Sequence, residues 1–271
     1  MGGAAKSRPG LAVSSTGART VTRTLPVETP VAMTFDGTTL AVMMASPADL
    51  EDFAVGFALT ERVIERPGDI EELEVLTFER GIEARMLLRD DRSAQLRSRQ
   101  RALMGPVGCG LCGIDSLEGA LPPLPAVDAD PRFARDEVAR ATDDLRRHQP
   151  LHDLTRAVHA AGFMVPGQGI VMAREDVGRH NALDKLIGAL ARAGIDPATG
   201  AMVLTSRISV EMVQKTAQAR CAVIVAASAP TAHALRLADD AQITLAAFAR
   251  GESFDLYSHP HRITAGASHV A

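Results

Sequence analysis

Short apolar runs alternate with helical segments from Phe163 to Phe248, and no other feature restricts the fold of this chain as tightly. Phe163-Met164-Val165, Ile170-Val171-Met172-Ala173 and the runs at 201–205, 221–226 and 242–248 read as strands, while 177–193, 209–219 and 231–238 carry apolar residues at helical spacing. Such alternation favours a largely parallel sheet sandwiched by helices, because each helix must bury its apolar stripe against the sheet. Two further helices, from about Asp136 to His148 and around Leu151 to Ala161, are predicted ahead of the first run.

The first half has a different rhythm. Residues 1–19 are Gly, Ala, Ser and Arg without periodicity and are expected to form a mobile tail. From Thr20 to Ala45 a hairpin is predicted, with Val21, Val31 and Met33 before the Asp36-Gly37 turn and Leu40, Val42 and Met44 after it at period two. Ser46-Pro47-Ala48-Asp49 reads as an N-cap, a first-turn proline and an acid three residues on. The helix it opens, carrying Leu50, Phe53, Ala54 and Phe57, should run to about Val63. Ile70 to Phe78 and Ile82 to Leu88 form a second expected hairpin, and an Arg-rich polar stretch leads into a glycine-rich loop at 104–113. Prolines at 122, 123 and 125 mark a stiff crossing between the halves. The domain reading is therefore a tail at 1–19, a β-rich subdomain at 20–121 that ends in the cysteine loop, and an α/β/α domain at 122–265.

Thirty-three acids against 29 bases give a formal charge of -4, so no global excess draws in a nucleic acid or an anionic membrane. No apolar run approaches the ~20 residues of a spanning helix, and the first residues lack a hydrophobic segment followed by a cleavage site, so a cytoplasmic protein is expected. Cys109, Cys112 and Cys221 cannot all pair, which turns attention to redox, metal or sulfur chemistry.

Cys109-Gly110-Leu111-Cys112 is the sharpest local feature. Backbone N–H groups of a glycine-rich loop and the nearby Arg97, Arg99 and Arg101 favour a thiolate, which can take up and pass on a sulfur atom. The second thiol can then relieve the persulfide as a disulfide. Half of a zinc site, or two cysteines that merely share a turn, are the competing readings. Cys221 opens an apolar run and reads as core, no His-x-Glu precedes the cysteines as a zinc deaminase requires, and Gly113 replaces the helix of a thioredoxin-like motif. Histidines 148, 152 and 159 are assigned to helices and to solvated or capping roles.

Three segments follow a strand and open a helix: 174–181 with His180, 206–209 with Arg207 and Ser209, and 228–233. In an open parallel sheet such turns share the edge at the strand carboxyl ends, where helix N-termini meet anions. Ordinary capping by Ser209 and Thr231, an Asp176 that complements a helix dipole, and a surface pair of Asp184 with His180 account for each segment separately. Tyr257, His259 and Arg262 form a further polar cluster that a C-terminal strand packed on the sheet explains equally well.

Five motifs now stand in order: Cys-Gly-Leu-Cys-Gly at 109–113, Glu-Asp-Val-Gly-Arg-His-Asn-Ala-Leu-Asp-Lys at 175–185, Ser-Arg-Ile-Ser-Val-Glu-Met-Val-Gln-Lys at 206–215, Ser-Ala-Pro-Thr at 228–231 and Tyr-Ser-His-Pro at 257–260. Together they resemble the formate dehydrogenase accessory sulfurtransferase family, FdhD/NarQ, over essentially everything after about Thr20. The resemblance implies a cytoplasmic sulfurtransferase that takes persulfide sulfur from a cysteine desulfurase and passes it to the bis(molybdopterin guanine dinucleotide) molybdenum cofactor before insertion into formate dehydrogenase. It implies a persulfide on Cys109 with Cys112 as its partner, and cofactor binding by Phe248, Ala249, Arg250, Gly251, Glu252 and Ser253. It also implies a three-layer α/β/α sandwich like that of cytidine deaminases but without their zinc, often as a homodimer. Pro106, Val107 and Gly108 stand where members commonly carry small hydroxyl residues, and Glu252 where a basic residue is frequent. A zinc-dependent nucleoside deaminase and a non-catalytic chaperone for the nucleotide cofactor are the alternative functions.

Overall fold

The computed structural model describes residues 3–94 and 124–264. Strands β1 (Ala5–Ser14) and β2 (Gly17–Pro26) form an antiparallel hairpin. β3 (Thr29–Phe35) and β4 (Thr38–Ala45) follow, then α1 (Leu50–Thr60), β5 (Ile70–Phe78) and β6 (Gly81–Leu88). The last four strands make a sheet ordered β4-β3-β6-β5, in which only β3 and β6 are parallel. Asp36 and Gly37 both take positive φ, 48° and 78°, the geometry that matches a two-residue turn to strand twist. Both predicted hairpins are present, but the first starts at Thr29 and not at Thr20, because Val21 lies in β2 and pairs with β1.

The second half continues with β7 (Phe133–Ala134), α2 (Arg135–Arg146), α3 (Pro150–Thr155), β8 (His159–Val165), β9 (Gly169–Asp176), α4 (Arg179–Ala193), β10 (Ala201–Leu204), α5 (Val210–Gln218), β11 (Val223–Ala226), α6 (Ala232–Asp240), β12 (Thr244–Arg250), β13 (Ser253–Ser258) and β14 (Ile263–Thr264). Six of these strands form one sheet ordered β13-β12-β11-β10-β8-β9. The crossovers through α4, α5 and α6 all advance in one direction across it, so a right-handed path puts these helices on one face. α2 packs across the strands from the other. The three-layer α/β/α sandwich with a β-rich N-terminal part is thus the fold.

Four local readings are corrected. The sheet is mixed: only β10–β11 and β11–β12 are parallel, because the tight turns after β8 and β12 can join only antiparallel neighbours. Residues read as a tail without regular structure pair through a complete ladder from Ala5↔Pro26 to Ser14↔Gly17, since the Thr- and Val-bearing stretch after Gly17 gives the first strand a partner. The helix expected to reach Ala161 stops at Thr155, where Arg156 turns left-handed at φ 57°, and His159 begins a strand. Ser46 does not cap α1. That helix begins after Asp49 at φ 53°, and Ser46 is instead buried against the second half of the chain.

Two apolar clusters fill the described residues. Val31, Met33, Phe35, Phe53, Phe57 and Met86 lie between the four-stranded sheet and α1, and a larger cluster surrounds the six-stranded sheet. α1 and α4 cross where Gly56 meets Gly188. A Cβ at Gly56 would stand 1.7 Å from the Asp184 carbonyl oxygen, and one at Gly188 would stand 1.9 Å from that of Asp52. Both obstacles are helix backbone and cannot swing away. Gly188→Ala is therefore expected to destabilise the protein by roughly 2–4 kcal/mol. Chemical denaturation checks this, and a change below about 0.5 kcal/mol, the range of an ordinary surface substitution, would contradict the crossing.

Candidate functional site

β9, β10, β11 and β12 point the same way, so their carboxyl ends and the starts of α4, α5 and α6 share one edge of the sheet. The connecting loops are tied together by backbone bonds. Ala227 N–H donates to Leu204 O (3.0 Å), Ile208 N–H to Ala229 O (3.1 Å) and Thr231 N–H to Ile208 O (3.0 Å), and Phe248 N–H reaches Ser228 O at 3.5 Å. The edge is thus a braced platform.

Asp176, at the end of β9, is fully buried and belongs to the frame. It accepts from Gly178 N–H (2.7 Å), Asn181 Nδ2 (2.9 Å) and Ser46 N–H (2.9 Å), and Lys185 Nζ lies 2.6 Å away. Ser46 completes the knot: its hydroxyl accepts from Val177 N–H and its carbonyl from Lys185 Nζ. The plain surface pair expected of Asp184 with His180 is absent. Asp184 is buried and binds Lys215 Nζ (3.0 Å) and Thr60 Oγ1 (2.7 Å), because α4 turns that face onto α1 and α5. Burial pushes the Asp184 carboxyl up. For Lys215 burial works against the charge, but Asp184 and Glu61 outweigh it and raise its pKa.

Beside this frame lie groups left with unused bonding capacity. Among the described residues Arg179 Nε and His180 Nε2 are buried atoms without a hydrogen-bond partner. His180 Nε2 is 3.8 Å from Glu211 Oε2, beyond hydrogen-bond length. Burial and the neighbouring Arg179 hold the His180 imidazole below the usual histidine range, with Glu211 opposing. His159 is lowered in the same way, by burial and then Arg179. The Glu211 carboxyl is held low, chiefly by the Ser209 hydroxyl. Ser209 starts α5 without a side-chain capping bond, whereas Thr231 caps α6 as expected by accepting from Ala234 N–H. Arg207 is exposed at the end of β10.

The segment 248–253 is the β12–β13 turn at the same edge, and it is fastened to α2. Thr142 Oγ1 donates to Ala249 O (2.6 Å) and Gly251 N–H to Asp143 Oδ2 (2.9 Å). Phe248 takes φ 53° and is half exposed. Gly251 and Glu252 line a cavity of about 260 Å³ with Arg135, Asp136, Ala139 and Arg140. His180, Arg207 and Ser209 do not line it, so the anticipated binding residues form two groups along one edge. Sequence reasoning missed Arg179, Glu211, Arg135 and Arg140. The signal available for the first two was an Arg-His pair and a Ser-x-Glu at the starts of successive helices.

Cys221 is core: fully buried, its Sγ against Gly200 O and Val223 O, with burial raising the thiol to about 11. Cys109 and Cys112 lie outside the described residues. Among the described residues no group of three or more His, Cys, Asp and Glu side chains is placed to hold a metal ion. His159 lies on β8 and not on a helix. Tyr257 is partly exposed on β13, which pairs with β12, and Arg262 is buried with its guanidinium on the carbonyls of Val127, Ala129 and Gln242.

A model of the FdhD/NarQ family matches residues 26–264, nearly the whole of the described fold. The chain belongs to the FdhD/NarQ family. Among FdhD/NarQ relatives, the "Sulfur carrier protein FdhD" of Agrobacterium fabrum is 49% identical over 242 residues, covering 89% of either chain. That of Xanthomonas campestris pv. campestris is 48% identical over 250 residues, 92% of this chain and 89% of its own. The fold is similar to a solved structure from Desulfotalea psychrophila, described as a formate dehydrogenase accessory protein, with a TM-score of 0.75 at 23% identity, covering 96% of this chain and 99% of the other.

A lowered His180 has a definite pH signature. In the unfolded chain this histidine takes a proton near pH ~6.5, while in the folded FdhD/NarQ chain it resists until lower pH. Its contribution to stability is therefore present above that value and is lost as pH falls from it toward the folded midpoint. NMR titration of the ring should give a midpoint below the free-histidine value, lower still in Glu211→Gln. A midpoint above the free value would contradict the burial and charge pattern described.

Proposed function

We propose that this protein is a cytoplasmic sulfurtransferase that carries a sulfane sulfur on Cys109 from a cysteine desulfurase to the bis(molybdopterin guanine dinucleotide) cofactor destined for formate dehydrogenase. The observation that carries the reading is a Cys109-Gly-Leu-Cys112 motif in a chain about half identical, over nine-tenths of its length, to proteins named sulfur carriers.

The chemistry needs no oxidant from outside. The Cys109 thiolate attacks the terminal sulfur of the desulfurase persulfide, and the desulfurase cysteine leaves as a thiolate. The Cys112 thiolate then attacks the inner sulfur of the Cys109 persulfide. A disulfide forms, and the outer sulfur departs as sulfide to the molybdenum, its two-electron reduction balanced by oxidation of the two cysteines. A thiol reductant resets the pair.

The strand-end edge suits the nucleotide part of that substrate. Helix starts supply backbone N–H groups and a favourable dipole for phosphates, and Arg179, Arg207 and Ser209 add donors. A neutral His180 can share a hydrogen bond with a guanine edge, which a protonated ring could only donate. Arg135 and Arg140 beside Gly251 provide the positive charge that Glu252 does not. No zinc is required at any step.

Replacing Cys109 with Ala should preserve folding and guanosine diphosphate binding while formate dehydrogenase produced in the same cells stays inactive. Active enzyme in that strain would reject sulfur carriage and leave the nucleotide-chaperone reading. Arg207→Ala combined with His180→Ala should weaken guanosine diphosphate binding by at least ~10-fold with persulfide loading unchanged, and calorimetry that finds equal affinity would remove this edge as the nucleotide site.

A further inference from the structure

α5 starts at the strand-end edge and leads back into β11, so it ends on the opposite edge of the six-stranded sheet, where α1 ends beside it. Each of these helices is followed by an arginine in the left-handed region, Arg62 and Arg220, both at φ 58°. Glycine is the usual residue at such a position, because it has no Cβ to strain. Arg156 ends α3 in the same way, so the conformation alone singles out nothing. What sets Arg62 and Arg220 apart is that they converge. With Gln218 they line one cavity of about 570 Å³, and both are exposed. Arg62 Nε donates to Gln218 Oε1 at 2.8 Å, and neither arginine has an ion-pair partner among the described residues.

The one carboxylate among the described lining residues, Glu65, is already held by Arg92 at 2.7 Å. A second cavity of about 480 Å³ shares Ile64, Gln218 and Arg220 with the first and adds an apolar wall of Leu59, Ile187 and Ala191. Spare positive charge therefore adjoins an apolar recess. Arg92 and Leu124 line the first cavity as well, so the chain leaves the described residues and returns to them close to these arginines. Cys109 is about 15 residues along the chain from either root, a reach of up to ~50 Å.

We propose that this double cavity is where the protein that donates sulfur to Cys109 docks, and that it takes an acidic segment of that donor. Carboxylates of the segment pair with Arg62 and Arg220, and a neighbouring apolar side chain enters the second cavity. The donor's identity rests on the sulfur-carrier reading given above. A cation after a helix is ordinary dipole complement, but that role does not require two of them to share a cavity. Guanidinium–carboxylate pairs are charge-assisted and often bidentate, so they fix the orientation of a partner as well as attract it. A small free anion would use the charge and leave the apolar wall idle; an acidic peptide uses both. A donor seated here stands at the roots of the cysteine segment and on the edge away from His180 and Arg207, so it leaves the nucleotide edge open.

The test loads full-length protein either with a cysteine desulfurase and cysteine or with glutathione persulfide, a small donor that has no segment to dock. Mass spectrometry of the peptide containing residues 109–112 gives the loading rate. Arg62→Glu combined with Arg220→Glu, both at exposed positions, should keep a native circular dichroism spectrum. It should slow loading by limiting desulfurase at least ~10-fold and leave loading by glutathione persulfide unchanged. A benzophenone side chain at position 66, on the rim of the second cavity, should crosslink to a desulfurase peptide that carries Asp or Glu. Equal desulfurase loading of wild type and double variant, equal losses with both donors, or crosslinks confined to this chain itself would overturn the docking site and leave the carrier reading standing. Wild-type protein that neither donor loads would reject the carrier reading, and the docking site with it.

Discussion

The contact on which the rest of this structure depends is the backbone-to-backbone crossing of α1 and α4 at Gly56 and Gly188. Only there can a helix carried by the four-stranded sheet come close enough to the α/β layer for polar groups of one half to reach the interior of the other. Ser46 reaches Asp176, Val177 and Lys185, and Thr60 reaches Asp184 and Lys215. Lys185 and Asp176 are both fully buried, a placement that costs several kcal/mol per ion unless other bonds complete it. Here Gly178 and Asn181 of the same turn supply partners to Asp176, and Ser46, brought in from the other half, binds both ions. The pair thereby sets the position of the turn at 176–180.

That turn is the start of the strand-end edge. With Asp176 committed to the frame, Arg179 and His180 are held beside Ser209 and Glu211, with Arg179 Nε and His180 Nε2 unpaired among the described residues. Protein interiors rarely leave buried donors idle. The β12–β13 turn extends the edge toward α2, where it joins two arginines to a bend made by Phe248 and Gly251.

Much of this was legible in the sequence, for physical reasons that also explain the misses. Helical and strand periodicities are set by local burial, so α2, α4, α5, α6 and the β5–β6 hairpin stand within a few residues of their expected limits, whereas the first hairpin begins at Thr29 and not at Thr20. Ser46 and Asp184 were misassigned because their partners lie 130 and 31 residues away, at Asp176 and Lys215. A serine ahead of a helix and an acid one turn from a histidine have local explanations that long-range packing overrides. The β1–β2 ladder was missed because its exposed faces lack the apolar alternation that marks a half-buried strand. Motif order carried the family assignment and the edge residues, while the cysteine pair fell outside the described residues.

The most direct measurement of the central claim is the mass of the peptide containing residues 109–112 after the purified protein is incubated with a cysteine desulfurase and cysteine. One added sulfur atom is expected on Cys109, removable by a thiol reductant and unaffected by replacing Cys221. An unmodified peptide after the desulfurase has turned over, or an added sulfur located on Cys221, would contradict it.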